Sequence, residues 1–87
     1  MTTARELLPR SSVADILAMV HAELVHAQQK FGPMASGHEA LAVIEEEFDE
    51  FKLAVFWGVD HRGRPADPRE EALQLAAMAV RYLLDVR

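Results

Sequence analysis

An acidic run near the middle of the chain is the feature best suited to chemistry. Residues 45–50 read EEEFDE, so all but one of these positions carry a carboxylate. On a helix that turns about 100° per residue, Glu47 and Glu50 lie beside an apolar stripe with Glu46 just behind them, and the other carboxylates lie on a solvated flank. Like charges three or four residues apart cost a helix about 0.2–0.5 kcal/mol per pair, and partial burial adds to this cost. A divalent cation is the simplest compensation, because Mg²⁺ and Mn²⁺ prefer oxygen ligands.

A second polar pair follows on the next helical segment. Glu71 and Gln74 are three residues apart and lie on the less apolar side of that segment. If the two helices pack antiparallel, this pair would face Glu47 and Glu50 across a groove. The alternative is that the acidic run is a solvated helix face and that Gln74 is an ordinary surface residue.

One aromatic residue and four histidines are further candidates for a site. Trp57 lies on the same side of its helix as Glu50 and could stack on the base of a substrate, although a Trp at a helix end also serves as a lid on the core. The histidines have no spacing that favours joint ligation of a metal, and we assign them no role: His21, His26, His38 and His61. The sequence has no Gly-rich phosphate loop, nucleophile elbow or H-E-x-x-H motif.

Three segments with helical periodicity must position these groups. They cover about residues 12–30, 36–57 and 67–85, and each begins with a Ser or Asp that can cap a helix. The second begins with the capping box SGHE, in which Glu39 is expected to accept a hydrogen bond from the backbone amide of Ser36. No segment alternates with period two for long enough to indicate a strand. The sequence therefore predicts an all-α fold with a three-helix protomer.

The apolar residues of the second helix form a narrow seam. They repeat at 3-4-3-4 spacing, which suits packing against another helix; they are Leu41, Ile44, Phe48, Phe51 and Val55.

The third helix is apolar on almost every side. Only Gln74, Arg81 and Asp85 interrupt the ring of apolar residues in its later turns. A helix that is apolar all round is normally buried all round, and three helices cannot enclose one of their own number. We therefore expect a second copy of the chain to cover the remaining face and complete the bundle as a dimer or a tetramer.

Composition restricts the class of protein. The chain has 87 residues, which suffice for one domain, and we expect a flexible N-terminal segment at 1–11 followed by the helical domain at 12–87. It has no cysteine, which excludes disulfides and thiolate metal sites, and a net charge of −5, which makes a nucleic acid an unfavourable partner. It has no apolar window near the roughly 20 residues of a membrane span and no apolar start like a signal peptide. We expect a cytoplasmic protein that binds neither nucleic acid nor membrane.

The acidic motif resembles that of a known family. The pattern E-E-x-x-E on one helix and E-x-x-D on the next is the signature of MazG-like nucleoside triphosphate pyrophosphohydrolases, which belong to the all-α NTP pyrophosphatase group. Residues 46–50 (EEFDE) supply the first half, and residues 71–74 (EALQ) stand where E-x-x-D is expected. With the first helix, the resemblance covers roughly residues 12–85 and points to a short single-domain subgroup.

The resemblance implies a reaction and a set of roles. Members cleave between the α and β phosphates of a nucleotide with Mg²⁺, giving a monophosphate and pyrophosphate, and they assemble as dimers or tetramers. Carried over residue by residue, the metal-ligating positions are Glu47, Glu50, Glu71 and Gln74. Glu46 would then orient or deprotonate the attacking water, or help to hold a second ion.

One position departs from the family pattern. Gln74 replaces the last aspartate of the motif, so a neutral carbonyl oxygen, a weaker Mg²⁺ ligand, stands where an anion is expected. The chain also lacks evident lysines near the site, although Arg62, Arg64 and Arg69 could be recruited from the loop. The expected function is a metal-dependent nucleotide pyrophosphohydrolase. The alternatives are a degenerate relative that binds nucleotide or regulates a partner without turnover, and a purely structural helical oligomer.

Overall fold

The computed structural model describes residues 12–86, which form three α-helices. They are α1 (Val13–Lys30), α2 (Gly37–Trp57) and α3 (Pro68–Asp85). Over the described range, extended pairing is limited to one isolated bridge between Val59 and Pro65. The all-α, three-helix prediction is therefore confirmed, whereas the predicted flexible segment 1–11 lies outside the described residues.

None of the helices in residues 12–86 is both long enough and apolar enough to cross a membrane.

Local signals in the sequence define the helix ends. Ser12 and Asp15 form the reciprocal capping box that begins α1, with N···O distances of 3.1 and 3.2 Å. At the start of α2, the Ser36 hydroxyl accepts a hydrogen bond from the Glu39 amide, but the Glu39 carboxylate accepts from Ala35 rather than from Ser36. The predicted Ser36 cap of α2 is thus confirmed, and only the return hydrogen bond to Glu39 differs, since it comes from the amide of Ala35 instead of Ser36. Gly58 ends α2 in the left-handed region at φ 67°, where a side chain would be strained.

Helix α3 is the centre of the fold, because it packs against both α1 and α2. The two ends of α2 show the direction of packing. The Met34 amide, just before α2, donates to the Asp85 carboxylate at the end of α3, while Glu50 in the later half of α2 lies beside Glu71 at the start of α3. Helices α2 and α3 are therefore antiparallel, as the groove prediction required. The buried apolar residues form a thin core: Leu24, Ala27, Met34, Ala40, Ala54, Leu73, Ala77 and Met78.

The face of α2 that packs on α3 is one residue away from the predicted seam. Ala40 and Ala54 are almost fully buried, whereas Leu41, Phe48 and Val55 expose 56, 47 and 52% of their surface. A shift of one residue is about 100° around a helix. The seam prediction is therefore corrected: in the described protomer, the edge of the seam formed by Leu41, Phe48 and Val55 faces away from the other helices. The small alanines let α3 approach α2 closely, and this contact takes precedence over burial of the larger side chains.

A buried arginine connects the end of α3 to the segment between α1 and α2. Arg81 is almost fully buried, and its guanidinium donates to the carbonyl oxygen of Gly32, lies 3.7 Å from the Asp85 carboxylate and stands over the Phe31 ring. Arg81 and Asp85 were expected only to interrupt an apolar ring. Instead they face the interior, where charge is acceptable because each has a partner.

Candidate metal centre and adjoining cleft

Three carboxylates from two helices converge where α2 and α3 face each other. Glu47, Glu50 and Glu71 each offer an oxygen within 4.8 Å of the oxygens offered by the other two. The spacing of three residues places Glu47 and Glu50 on the same side of α2, and antiparallel packing brings the first turn of α3 opposite them. We call these three residues the carboxylate cluster. Their convergence agrees with the groove predicted from the sequence.

The cluster is partly withdrawn from water, and two of its three carboxylates have a buried oxygen without a partner. One carboxylate oxygen of Glu47 and one of Glu71 are buried and accept no hydrogen bond. Glu50 is half-buried, and one of its oxygens lies 3.5 Å from Nδ1 of His61 in the α2–α3 loop. Within residues 12–86, no lysine or arginine forms an ion pair with Glu47 or Glu71. The cluster is therefore an unneutralised concentration of negative charge.

This environment favours the protonated carboxyls. Burial, followed by the charges of Glu50 and Glu71, raises the pKa of Glu47 from 4.5 to about 7. Burial is also the main cause that raises the pKa of Glu71, with the charge of Glu50 second. Neither shift involves a compensating cation, so ionising the cluster at neutral pH destabilises the protein.

Two of the arginines that the sequence offered to the site lie elsewhere: Arg64 is engaged by another residue and Arg69 faces another surface. Arg64 pairs with Asp60 at 3.1 Å, and backbone hydrogen bonds from Arg64 and Arg62 lower the pKa of that aspartate. Arg69 lines a groove between α1 and α3 on another side of the protomer. Lys52 lies 3.9 Å from Asp49 on the outer flank of α2.

A cleft of about 710 Å³ opens beside the cluster between α1 and α2, with α3 as its floor. Glu46, Glu47 and Gln74 line its acidic end. Glu46 is exposed to solvent, whereas Gln74 is half-buried on the α3 wall, one turn beyond Glu71. The structure therefore places Glu46 and Gln74 on a common cavity with one member of the cluster.

The cleft also has residues that the sequence did not single out. Lys30, Phe31 and Arg81 line it away from the acidic end, together with the thioethers of Met34 and Met78. Both cations stand near the Phe31 ring, with Nζ of Lys30 at 5.4 Å and the guanidinium carbon of Arg81 at 5.8 Å from its centre. The signal that could have revealed this group is an arginine within an apolar helix, since such a residue needs an interior partner.

Trp57 lies apart from this cavity. It is 76% exposed at the end of α2, so it does not act as a lid on the core of the described protomer, and it is not among the residues that line the cleft. Its role in stacking on a base remains a prediction from the sequence.

Comparison with known proteins returns no match to any family model, curated protein or solved structure.

Proposed function

We propose that this protein is a metal-dependent nucleotide pyrophosphohydrolase of the MazG-like type, acting in the cytoplasm as a homo-oligomer. The observation that carries the proposal is the convergence of Glu47, Glu50 and Glu71 beside a cleft large enough for a nucleotide. Ligand sites commonly occupy about 300–1,000 Å³, so the cleft of about 710 Å³ has a suitable volume.

The chemistry of the cluster fits Mg²⁺ or Mn²⁺. The buried oxygens of Glu47 and Glu71 lack a hydrogen-bond donor, and a hard divalent cation is the partner that oxygen ligands of this kind prefer. Glu47, Glu50 and Glu71 would hold the ion, and the side-chain carbonyl oxygen of Gln74 is the fourth candidate ligand. When bound, the cation would neutralise phosphate charge and lower the pKa of a coordinated water.

The remaining roles belong to groups along the cleft. Glu46 is exposed at the acidic end, where its carboxylate can accept a proton from the attacking water, as a general base does. Lys30 supplies positive charge along the same cavity, which is useful for an anionic substrate, whereas the guanidinium of Arg81 is already paired with Asp85. The resemblance to MazG-like pyrophosphohydrolases is what points to the α–β anhydride of a nucleoside triphosphate as the bond that is cleaved.

A second candidate is nucleotide binding without turnover. The observation that favours it is the neutral side chain at Gln74, because losing one anionic ligand weakens the hold on Mg²⁺.

Pyrophosphate release separates these functions. The purified protein is mixed with a panel of nucleoside triphosphates and Mg²⁺ or Mn²⁺, and pyrophosphate is measured. We expect release with at least one nucleotide, and a loss of about 10²–10⁴-fold in the Glu46→Gln variant, the usual contribution of a general base. Asp49→Asn is the matched control, since Asp49 is exposed on the opposite flank of α2. Binding without release would favour the second candidate, and neither binding nor release would refute both.

A further inference from the structure

We infer that a second copy of this chain packs on the outer edge of α2, antiparallel to it, about a two-fold axis beside Phe48. This edge is the line formed by Leu41, Phe48 and Val55, which we call the outer seam. The inference rests on the proposed self-association but not on the proposed hydrolysis, and it identifies the surface, the partner and its direction.

The spacing of the outer seam makes it an interhelical contact line. Its residues are seven apart, or about two helical turns, so they lie one above the other along α2. Each exposes about half of its surface in the described protomer. Among residues 12–86, the exposed large apolar side chains of α1 and of α3 are confined to about one turn each, whereas those of α2 extend along most of the helix. A line of this length suits a helix with the same repeat, which a second α2 provides.

The charges beside the outer seam decide the direction of the partner. Glu45 and Lys52 lie on one flank, about 60° and 40° around the helix from Phe48. Nζ of Lys52 stands 5.4 Å from the Phe48 ring, which places this cation next to the seam. With a rise of about 1.5 Å per residue, Glu45 lies about 4.5 Å before Phe48 and Lys52 about 6 Å after it.

An antiparallel two-fold arrangement pairs these charges. Such an axis keeps each flank facing the same flank of the partner and reverses the direction along the helix. Glu45 then lies within about 1.5 Å, along the helix axis, of the level of Lys52 in the second copy, and symmetry repeats the pair. Asp49 points about 100° away from the seam line, so the two copies of Asp49 do not oppose each other closely.

A parallel arrangement is disfavoured by the same geometry. A two-fold axis along the helices would bring the flank of Glu45 and Lys52 against the opposite flank, which consists of Ile44 and Phe51. Glu45 would then lose water to apolar neighbours without gaining a partner, which costs free energy, and Lys52 would keep only Asp49 of its own helix, 3.9 Å away. Charge complementarity therefore selects the antiparallel pair.

Single cysteines provide a direct test, because the chain has no native cysteine. Packed helices lie about 8–10 Å apart with Cα atoms about 2.3 Å from each axis, so facing Cα atoms are about 3.4–5.4 Å apart, which overlaps the roughly 4.4–6.8 Å of a disulfide. We expect Phe48→Cys to cross-link to itself on mild oxidation. Leu41→Cys and Val55→Cys should each remain uncross-linked alone and form a disulfide when the two variants are mixed.

Light scattering and a charge reversal complete the test without disturbing the seam itself. The unmodified chain should have at least twice the mass of 9.7 kDa at low micromolar concentration. Lys52→Glu should raise the dissociation constant of the dimer at least several-fold, the combined Glu45→Lys, Lys52→Glu variant should restore association, and Glu70→Lys, which changes an exposed charge on α3, should leave it nearly unchanged.

The outcomes separate the inference from the proposals that precede it. A monomer at these concentrations would refute both self-association and this surface. A dimer in which Phe48→Cys fails to cross-link, or in which Leu41→Cys and Val55→Cys each cross-link alone, would refute the surface or its direction and leave self-association intact. Pyrophosphate release is measured independently and does not affect either result.

Discussion

Replacing Glu47 by glutamine should stabilise the protein at neutral pH when no metal is present. Burial and the neighbouring carboxylates raise the pKa of Glu47 from 4.5 to about 7. At about 1.36 kcal/mol for each tenfold change in proton affinity, this corresponds to about 3 kcal/mol, which solvent screening at a half-exposed site reduces to on the order of 1–2 kcal/mol. The buried oxygen of Glu47 accepts no hydrogen bond, so the isosteric amide loses no contact there.

The sign of the pH dependence follows from which state binds more protons. Below about pH 4.5 the Glu47 carboxyl is protonated in both the folded and the unfolded chain, so it does not lower the free energy of unfolding. As pH rises from 4.5 towards 7, the unfolded chain loses this proton first, so the free energy of unfolding falls. Above about pH 7 the carboxyl is ionised in both states, and the free energy of unfolding is lowered by the full amount. The raised pKa of Glu71 acts in the same direction.

Denaturant titrations in chelator measure this difference. The free energy of unfolding of the wild type and of Glu47→Gln is determined by circular dichroism between pH 4.5 and 8. We expect the two to agree near pH 4.5 and to diverge by on the order of 1–2 kcal/mol at pH 8, or by roughly 5–10 °C in Tm for a domain of this size. Asp49→Asn controls for loss of an exposed charge on the same helix. If the free energies of unfolding of the two proteins differ by the same amount at every pH in this range, Glu47 is solvated, and the argument that the carboxylate cluster is buried and repulsive fails.

Three further outcomes are expected. Mg²⁺ or Mn²⁺ should raise the Tm of the wild type, since a ligand bound only by the folded state stabilises it; equal shifts in a Glu47→Ala, Glu50→Ala variant would contradict this. Gln74→Asp should lower the Tm in chelator and bind Mg²⁺ more tightly by calorimetry, whereas a change within about 0.5 kcal/mol that ignores metal would place Gln74 outside the site. Arg81→Met should destabilise the fold by about 1.5–3 kcal/mol in denaturant titrations, because the Gly32 carbonyl loses its charged donor and Asp85 keeps only the Met34 amide as a partner; a loss under about 1 kcal/mol would contradict that.

The convergence of the carboxylates could be predicted because it depends on local rules. The three-residue spacing places Glu47 and Glu50 on one side of any helix, and the glycine and proline signals between the helices predict where each ends. Once α2 and α3 pack as antiparallel neighbours, the first turn of α3 lies opposite the later half of α2, so Glu71 lies near Glu50. These steps need no knowledge of side-chain packing.

The packing face of α2 could not be predicted in the same way. Hydrophobic periodicity gives most weight to large side chains, and it indicated the stripe that contains Leu41, Phe48 and Val55. Helix α3 instead packs where Ala40 and Ala54 allow a close approach, one residue away. The gain from close packing of backbones depends on both helices together, so it is not visible in the periodicity of either one.

The partners of Arg81 were hidden for a different reason. The carbonyl oxygen that accepts from its guanidinium belongs to Gly32, 49 residues earlier in the chain. A contact between such distant positions depends on the arrangement of all three helices. A sequence pattern can show that an interior arginine needs an acceptor, but it cannot say which loop provides it.

The glutamine at position 74 limits the cost that the cluster places on a small domain. Folded domains are typically stable by only about 5–15 kcal/mol, and the core here is thin and rich in alanine. At an effective dielectric near 20, each carboxylate about 6 Å from another adds on the order of 3 kcal/mol of repulsion before solvent and protons relieve it. An aspartate at position 74 would add this repulsion against Glu47 and its neighbours whenever metal is absent. A neutral amide avoids that cost and retains an oxygen that can still ligate a cation, so we expect the native residue to favour a fold that is stable without metal over the tightest possible binding of metal.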